Sequence, residues 1–221
     1  MSHDFPQVGM DPVYGFFHYG MGALCDIHFH TAVSGVDNIP RHGGFIVAAN
    51  HASILDPPLI GAGLSRGINF LARESLFRFP VMAALLRSWQ VVPVDRDGGT
   101  GRGLKAILDR LERGGAIILF PEGTRTMDGR LQPARAGIGL AVIKSSAPVV
   151  PVRVFGTFEA YGKRRGWPRP RQLTVKYGLP LDFAPLRAEA QTCAKPRVKQ
   201  IYQEAADAIM AAIARLEPKE D

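Results

Sequence analysis

The sequence predicts a single α/β domain, in which about seven strands form a mostly parallel or mixed sheet flanked by helices. Short apolar runs alternate along the chain with segments whose apolar residues recur at helical spacing, and this alternation is typical of the class. The 221 residues, 46% of them hydrophobic, suffice for one domain with a substantial core. We expect residues 25 to 180 to form the α/β core and residues 181 to 221 a C-terminal helix.

The predicted strands are short apolar or alternating runs at residues 27 to 33, 45 to 49, 68 to 71, 90 to 94, 116 to 120, 148 to 154 and 173 to 177. The predicted helices lie at residues 57 to 64, 80 to 89, 104 to 111, 136 to 145 and 198 to 216. Pro57 and Pro80 suit the first turn of a helix, because a proline there loses no helical hydrogen bond. In the last helix, apolar residues recur on one face, which should pack on the sheet.

The N-terminal residues 1 to 24 have almost no charge from residue 12 onward and are rich in aromatic side chains. This composition indicates a short helix in a membrane interface, or alternatively a helix that covers the domain's own core. The start of the chain lacks the pattern of a signal peptide, and no 18 apolar residues run together. We therefore expect any membrane contact to be peripheral.

The net charge of +7 favours anionic partners. Nucleic acid is not expected, because no basic motif interleaved with aromatic residues is present. The most basic run covers residues 163 to 171 and contains Trp167. It is either a contact for acidic lipid headgroups or a solvated loop. Cys25 and Cys193 are too few for a disulfide framework or a zinc site, and we expect no metal.

Polar side chains follow the predicted strand at residues 45 to 49. On a regular helix His51 and Asp56, five residues apart, are rotated by roughly 140° and do not meet. A strand-to-helix turn with Asp56 in the first helical turn brings them into contact. An aspartate that holds one imidazole nitrogen leaves the other nitrogen as a base. The spacing therefore favours a His–Asp dyad, with Ser53 in a capping or structural role.

A second polar block follows the predicted strand at residues 116 to 120, and it comprises Pro121, Glu122, Gly123, Thr124 and Arg125. Together the two blocks resemble the glycerolipid acyltransferase family, the 1-acyl-glycerol-3-phosphate acyltransferases and their relatives. That family carries an Asn-His-x4-Asp block and a Phe-Pro-Glu-Gly-Thr-Arg block. Residues 73 to 96 resemble its second block and residues 149 to 152 its fourth, and Arg135 resembles the pattern after the third. The four blocks occur in the family's order.

The resemblance implies acyl transfer from a thioester to the free hydroxyl of a lysophospholipid. The expected acceptor is 1-acyl-glycerol-3-phosphate and the product is phosphatidate. The donor is acyl-CoA or acyl-carrier protein, and no cofactor or metal is implied. His51 is then the general base, and Asp56 orients it and stabilises the imidazolium. The expected transfer is direct, so that Ser53 forms no acyl-enzyme.

The same resemblance assigns the acceptor site. A guanidinium suits a phosphate because it offers a planar, permanently charged fork. Glu122 is expected to orient Arg125 or the acceptor glycerol, while a salt bridge to another arginine is the open alternative. Arg73 stands where the family commonly has lysine. The residues expected to contact the acceptor are Arg73, Arg96, Glu122, Gly123, Thr124 and Arg125, and those expected to support the site are Asn50, Ser53 and Pro121.

Two other classes of function remain open from the sequence. A metal-independent phosphate-ester hydrolase or transferase would use the arginines for phosphate and His51 as acid and base, although no phosphate loop is present. A non-catalytic lipid-binding protein would not need His51 beside Asp56. In the family an N-terminal helical element lies at the membrane. This resemblance favours the interfacial interpretation of residues 12 to 24 and a peripheral location on the cytoplasmic face of the membrane.

Overall fold

The computed structural model describes residues 27 to 80, 83, 86, 91 to 94, 100 to 163 and 166 to 218, together with residues 15, 20 and 23. Seven strands are present in these ranges: β1 (Ala32–Ser34), β2 (Phe45–Ala49), β3 (Ile68–Arg73), β4 (Val92–Val94), β5 (Ala116–Leu119), β6 (Val149–Phe155) and β7 (Thr174–Tyr177). The α-helices are α1 (Asp56–Ala62), α2 (Thr100–Glu112), α3 (Ala136–Lys144), α4 (Thr157–Tyr161), α5 (Ala184–Thr192) and α6 (Lys195–Ala214). Two 3-10 helices cover Val36–Asn38 and Glu74–Arg78.

The strands form one sheet in the order β1-β7-β6-β2-β5-β3-β4. Strands β2 to β6 all run in the same direction, whereas β7 is antiparallel to β6, and β1 is parallel to β7. The predicted α/β fold with a mixed sheet of about seven strands is confirmed. Because the central strands are parallel, the loops that follow β2, β5 and β6 meet at one edge, which we call the carboxyl edge.

Helices cover both faces of the sheet, as expected when the central strands are buried on both sides. One apolar cluster joins the sheet to α2, α3 and α6, and the other joins it to α1 and α4. Helices α3 and α6 approach closely at Gly139, where an added Cβ would lie 1.7 Å from the Tyr202 carbonyl oxygen. Only glycine permits this packing distance.

The predicted strand at residues 27 to 33 is wrong over its first half. Ile27 to Phe29 are helical, His30 adopts a φ of 47°, and β1 begins only at Ala32. Phe29 is buried whereas Ile27 is 78% exposed, so these alternating apolar residues do not form one buried strand face. The alternation arose from a helix end and a turn.

The C-terminal segment contains two helices, α5 and α6, where the apolar pattern predicted one. The break between them precedes Pro196, which occupies the first turn of α6. Helix α4 was not predicted, because five residues are too few for a periodic pattern. No helix in the described ranges combines the length and the apolarity needed to cross a bilayer.

Two predicted elements fall largely outside the described residues. Of the predicted membrane-interface segment 1 to 24, only Gly15, Gly20 and Ala23 are described, and these are helical. Of the predicted helix at residues 80 to 89, only residues 80, 83 and 86 are described, and these are helical as well.

Candidate active site

The turn between β2 and α1 brings His51 and Asp56 together. His51 Nδ1 lies 2.9 Å from Asp56 Oδ2, in the contact that the spacing predicted. Asp56 is fully buried, and the same oxygen also accepts the backbone N–H groups of Ala52 at 2.6 Å and Ser53 at 2.7 Å. Three donors on one oxygen suit the ionised carboxylate and fix its position. The arrangement holds the Nδ1–H tautomer, so Nε2 is the imidazole nitrogen that can accept a proton.

The loop after β5 holds His51 from the other side. The imidazole stacks on the Phe120 ring, with 3.9 Å between centroids and 17° between the planes. The His51 backbone N–H donates to Glu122 Oε1 at 3.3 Å, and the His51 carbonyl oxygen accepts the Thr126 N–H at 2.8 Å. The side chain remains 19% exposed. Both the ring and the backbone of His51 are therefore restrained, while part of the ring stays accessible.

Asn50 and Ser53 connect the turn to the neighbouring elements. The Asn50 amide bonds both backbone polar groups of Val154 in β6, at 3.0 Å and 2.8 Å. Ser53 Oγ donates to the Tyr161 carbonyl oxygen at 2.6 Å and accepts the Leu55 N–H at 3.1 Å. Ser53 is fully buried, so its hydroxyl is engaged in the structure of the turn. These contacts agree with a structural role for both residues.

Glu122 is buried beside the dyad, with only 3% of its surface exposed. The pKa of Glu122 is raised to about 7, chiefly by burial; the bond from the His51 N–H opposes this rise, and the charge of Asp56 adds to it. Among the described residues Oε2 has no hydrogen-bond partner, and no arginine forms an ion pair with this carboxyl group. The structure thus ties Glu122 to the His51 backbone, a contact that the sequence did not predict.

Gly123 forms the turn that follows β5. Its φ of 71° is left-handed, and its N–H donates to the Phe120 carbonyl oxygen at 2.9 Å. An added Cβ would lie 2.9 Å from Arg135 Cδ, so the Arg135 side chain lies directly over the glycine. The Arg135 N–H donates to the Pro121 carbonyl oxygen at 2.9 Å and anchors the start of α3 to this turn. A side chain at residue 123 would both strain the backbone and displace the guanidinium.

Arg125 and Arg135 lie in the loop after β5 and at the start of α3. Arg125 is half-buried and Arg135 is exposed, while Thr124 beside Arg125 is exposed as well. Within the described ranges, neither guanidinium has a hydrogen bond or an ion pair. Arg73 is the last residue of β3, opposite Val94, and therefore also lies at the carboxyl edge. Arg96 falls outside the described residues.

A cavity of about 340 Å³ lies between the sheet and helices α2 and α3. His51 and Arg135 supply its ionisable groups, and Arg125 is not part of its wall. The apolar lining includes Phe70, Leu71, Ile107, Leu119, Ile138 and Ala141. A site of this kind suits an apolar ligand with a polar reacting end. Within the described part of the chain, no three His, Cys, Asp or Glu side chains gather as a metal site.

Arg135 was not among the residues that the sequence assigned to the acceptor site. It resembles the family pattern after the third block, but the loop between residues 126 and 134 hides its proximity to Gly123. The signal available was its position as the residue before a predicted helix, where an N-terminal turn meets the loops of the carboxyl edge. Phe120 was likewise assigned only to a buried strand, although its ring supports the imidazole.

The chain belongs to the Acyltransferase family, which it matches over residues 30 to 155. The match covers more than half of the chain and includes both polar blocks, so the family resemblance is confirmed. The fold supports the same conclusion. The 1-acyl-sn-glycerophosphate (LPA) acyltransferase PlsC of Thermotoga maritima has a TM-score of 0.71 and 26% identity, with 94% of this chain and 81% of that chain covered.

Individual relatives are 1-acyl-sn-glycerol-3-phosphate acyltransferases. The chloroplastic enzyme of Brassica napus is 30% identical over 58% of this chain and 38% of its own length. The Limnanthes douglasii enzyme is 31% identical over 62% of this chain and 50% of its own length. The Bacillus subtilis enzyme is 26% identical over 65% of this chain and 72% of its own length. The chain thus spans half or less of the length of these two plant relatives.

Proposed function

We propose that this chain transfers a fatty acyl group from an acyl thioester to the free hydroxyl of 1-acyl-glycerol-3-phosphate, which yields phosphatidate. The observation that carries the proposal is an imidazole that is bonded to a buried carboxylate and lines an apolar cavity. A hydroxyl acceptor needs a base within reach, and a fatty acyl chain needs apolar surroundings. The activity named for the Thermotoga and Bacillus relatives supports the same substrates.

The proposed reaction is one direct transfer. His51 Nε2 removes the proton of the acceptor hydroxyl while its oxygen attacks the thioester carbonyl carbon. The carbon–sulfur bond then breaks, and the imidazolium returns the proton to the leaving thiolate. Asp56 stabilises the imidazolium during this interval, in the manner of a triad carboxylate. The two hydrogen bonds of the buried Ser53 hydroxyl support a step without an acyl-enzyme.

The acceptor phosphate binds the guanidinium groups around Gly123. Arg125 remains our principal phosphate ligand, because no described residue neutralises it. Arg135 is a second phosphate ligand in this proposal, because its side chain lies over Gly123 and lines the same cavity as His51. Thr124 is exposed beside Arg125 and extends this surface. Arg73 and Arg96 stay predictions from the second block of the family.

The apolar cavity holds an acyl chain. Gly137 lines it, and a Cβ added at this residue meets no atom within 4 Å. Gly137→Leu should therefore fill part of the cavity without displacing the fold. We expect this variant to lose turnover of long acyl chains and to retain that of short ones, measured with a series of acyl thioesters. Gly101→Leu is the matched control, because its Cβ also meets nothing and Gly101 lies outside the cavity wall. An unchanged chain-length profile in Gly137→Leu would refute this use of the cavity.

The proposed function also implies an acidic acyl donor and a location at the membrane. Acyl-CoA and acyl-carrier protein are both acidic and both suit a chain of net charge +7. No cofactor is required for the transfer. We propose a peripheral enzyme at the cytoplasmic face of the membrane, held by residues 1 to 24 and by the basic run at residues 163 to 171.

A screen of donors against acceptors, read by lipid mass spectrometry, tests the function. We expect a diacyl product and release of free CoA or carrier protein that depends strictly on the lysolipid. Phosphate release without a new ester would identify a phosphate-ester hydrolase instead. Absence of any acylated product with every donor and lysolipid would refute the proposal.

A further inference from the structure

Exposed apolar side chains concentrate at the carboxyl edge. Of the nine large hydrophobic residues that are exposed within the described ranges, five follow the carboxyl ends of parallel strands. These five are Ile54 after β2, Leu76 and Phe79 after β3, Met127 after β5 and Trp167 after β6. Trp167 is 84% exposed and Phe79 67%. Large exposed apolar groups gathered on one edge mark an interaction surface.

Direct contacts connect three of these loops to the dyad. Ser53, next to Ile54, pairs with Gly162 and bonds Tyr161, at the start of the loop that carries Trp167. Thr126, next to Met127, bonds the His51 carbonyl oxygen. The exposed apolar residues on these loops therefore lie around the same edge as the reacting imidazole.

Basic side chains accompany the apolar ones. Apart from Arg135 of the acceptor site, the exposed cations among the described residues of these loops are Arg78, Arg130, Lys163, Arg169 and Arg171. The exposed acidic side chains described there are Asp128 in the loop after β5 and Glu159 in α4. Cations therefore outnumber acids among these described residues, and the edge complements an anionic surface.

We infer that the carboxyl edge is a bilayer-docking rim, formed by the five apolar residues and the five cations named above. The inference rests on the proposed function, because lysophosphatidate and phosphatidate both reside in a bilayer and must enter and leave beside His51. Tryptophan is favoured at the membrane interface, and lysine and arginine bind anionic headgroups there. The rim is distinct from the N-terminal segment and turns the reaction site toward the lipid.

The fold provides an internal control for the rim. Leu179 is 73% exposed, comparable with Phe79. It follows β7, which runs antiparallel to β6, and the Gly178 N–H bonds the Pro151 carbonyl oxygen near the start of β6. Leu179 therefore lies near the amino end of β6, at the edge of the sheet opposite to the rim.

The first test reports on Trp167 directly. The chain has two tryptophans, so Trp89→Phe leaves Trp167 as the single indole emitter in the full-length protein. We expect vesicles of phosphatidylcholine with phosphatidylglycerol to shift its emission to shorter wavelength, and bromine-labelled acyl chains to quench it. Pure phosphatidylcholine should give a weaker response, because the cations lack their partners. Unchanged emission with anionic vesicles would refute the rim, even if the protein itself sediments with them.

The second test compares Trp167→Glu/Phe79→Glu with Leu179→Glu in vesicle co-sedimentation. We expect the double rim variant to lose at least about tenfold in partitioning, since two buried apolar side chains are replaced by charges that the bilayer repels. Leu179→Glu should partition like the parent. Equal partitioning of the rim variant and the parent would refute the inference. So would a defect in the rim variant that is confined to the KM for acyl-carrier protein, because an acidic protein would then be the occupant.

Activity separates the failure of the rim from the failure of the proposed function. The rim variant should lose more activity with vesicle-borne lysophosphatidate than with a short-chain, water-soluble form, so the ratio of the two rates falls. If the parent acylates neither form, the proposed function is wrong, and the partitioning data still decide the rim. If both rates fall equally, the rim has no role in access to the bilayer.

Discussion

The two polar blocks at the carboxyl edge differ in whether their basic side chain has a partner. After β2, Asn50 and Ser53 have described partners for their side chains, and Asp56 Oδ2 accepts three hydrogen bonds. After β5, Arg125 has no partner among the described residues, and the Glu122 carboxyl keeps one oxygen without a hydrogen bond. Asp56 Oδ1 also lacks a hydrogen-bond partner, so the carboxylates of the two blocks are alike in this respect. The blocks differ in their basic groups, because the His51 imidazole is bonded to Asp56 whereas the Arg125 guanidinium has no partner among the described residues.

This difference indicates that the first block positions the base and that the second block binds the acceptor. A base must be held in one orientation before the reaction, since misplacement of a reacting group costs rate. A binding surface gains most when its charges are uncommitted until the ligand arrives, because no existing ion pair has to be broken. We therefore expect substitutions in the first block to lower kcat and substitutions in the second to raise the acceptor KM.

The largest expected effect is that of His51→Ala. Loss of the base should lower kcat by about 10²- to 10⁴-fold, with little change in the acceptor KM. Steady-state kinetics with a saturating donor measure both constants. His42→Ala removes an exposed imidazole that precedes β2, at the opposite end of that strand from the dyad, and should retain normal turnover. Near-normal kcat in His51→Ala would show that the first block does not supply the base.

The next effect is that of Arg125→Ala in the second block. Loss of a cation that pairs with the acceptor phosphate should cost about 2–5 kcal/mol, so the acceptor KM rises by about 30-fold or more. Arg135→Ala should raise the same constant by a smaller factor, because that side chain is more exposed. Arg113→Ala is the matched control, since it removes one charge from the end of the sheet where β5 begins. If the acceptor KM of Arg125→Ala stays constant while kcat falls, the second block does not act chiefly in binding the acceptor.

The smallest effect concerns Glu122, which joins the two blocks through the His51 N–H. Its pKa rises from 4.5 to about 7 on folding, so between these pH values the folded state holds a proton that the unfolded state has lost. The free energy of unfolding should therefore fall as the pH rises through this window, by at most about 3 kcal/mol.

Glu122→Gln keeps an acceptor for the His51 N–H and removes the titration. We expect its stability, measured by urea unfolding, to vary less with pH than that of the parent between pH 4.5 and about 7. Glu112→Gln, at an exposed residue, should behave like the parent. The same pH dependence in Glu122→Gln and the parent would show that another group titrates there.

Local sequence predicted what depends on neighbours along the chain. The His51–Asp56 contact spans five residues, and Pro57 at the start of α1 limits how the turn can be built. The buried strands β2 and β5 were recognisable because both faces are covered and their residues are uniformly apolar. Apolar runs of this kind predict approximately which segments form strands of the sheet, but they do not predict the order of those strands.

Contacts between distant segments were not predictable in this way. The bond from the His51 N–H to Glu122 spans 71 residues, and that from Asn50 to Val154 spans 104. Both depend on β2 lying between β5 and β6, which no local pattern specifies. Arg135 was not assigned to the acceptor site for the same reason, because its position over Gly123 depends on how α3 returns to the sheet.

The slot that holds the imidazole is built from groups that do not depend on the imidazole. Asp56 Oδ2 keeps the N–H groups of Ala52 and Ser53 after the ring is removed, and the Phe120 face remains on the other side. A His51→Gly chain should therefore present a ready-made receptor for the missing heterocycle. We expect free imidazole added to this variant to restore part of its turnover in a saturable manner, whereas the same addition to a chain that also carries Asp56→Ala should restore none.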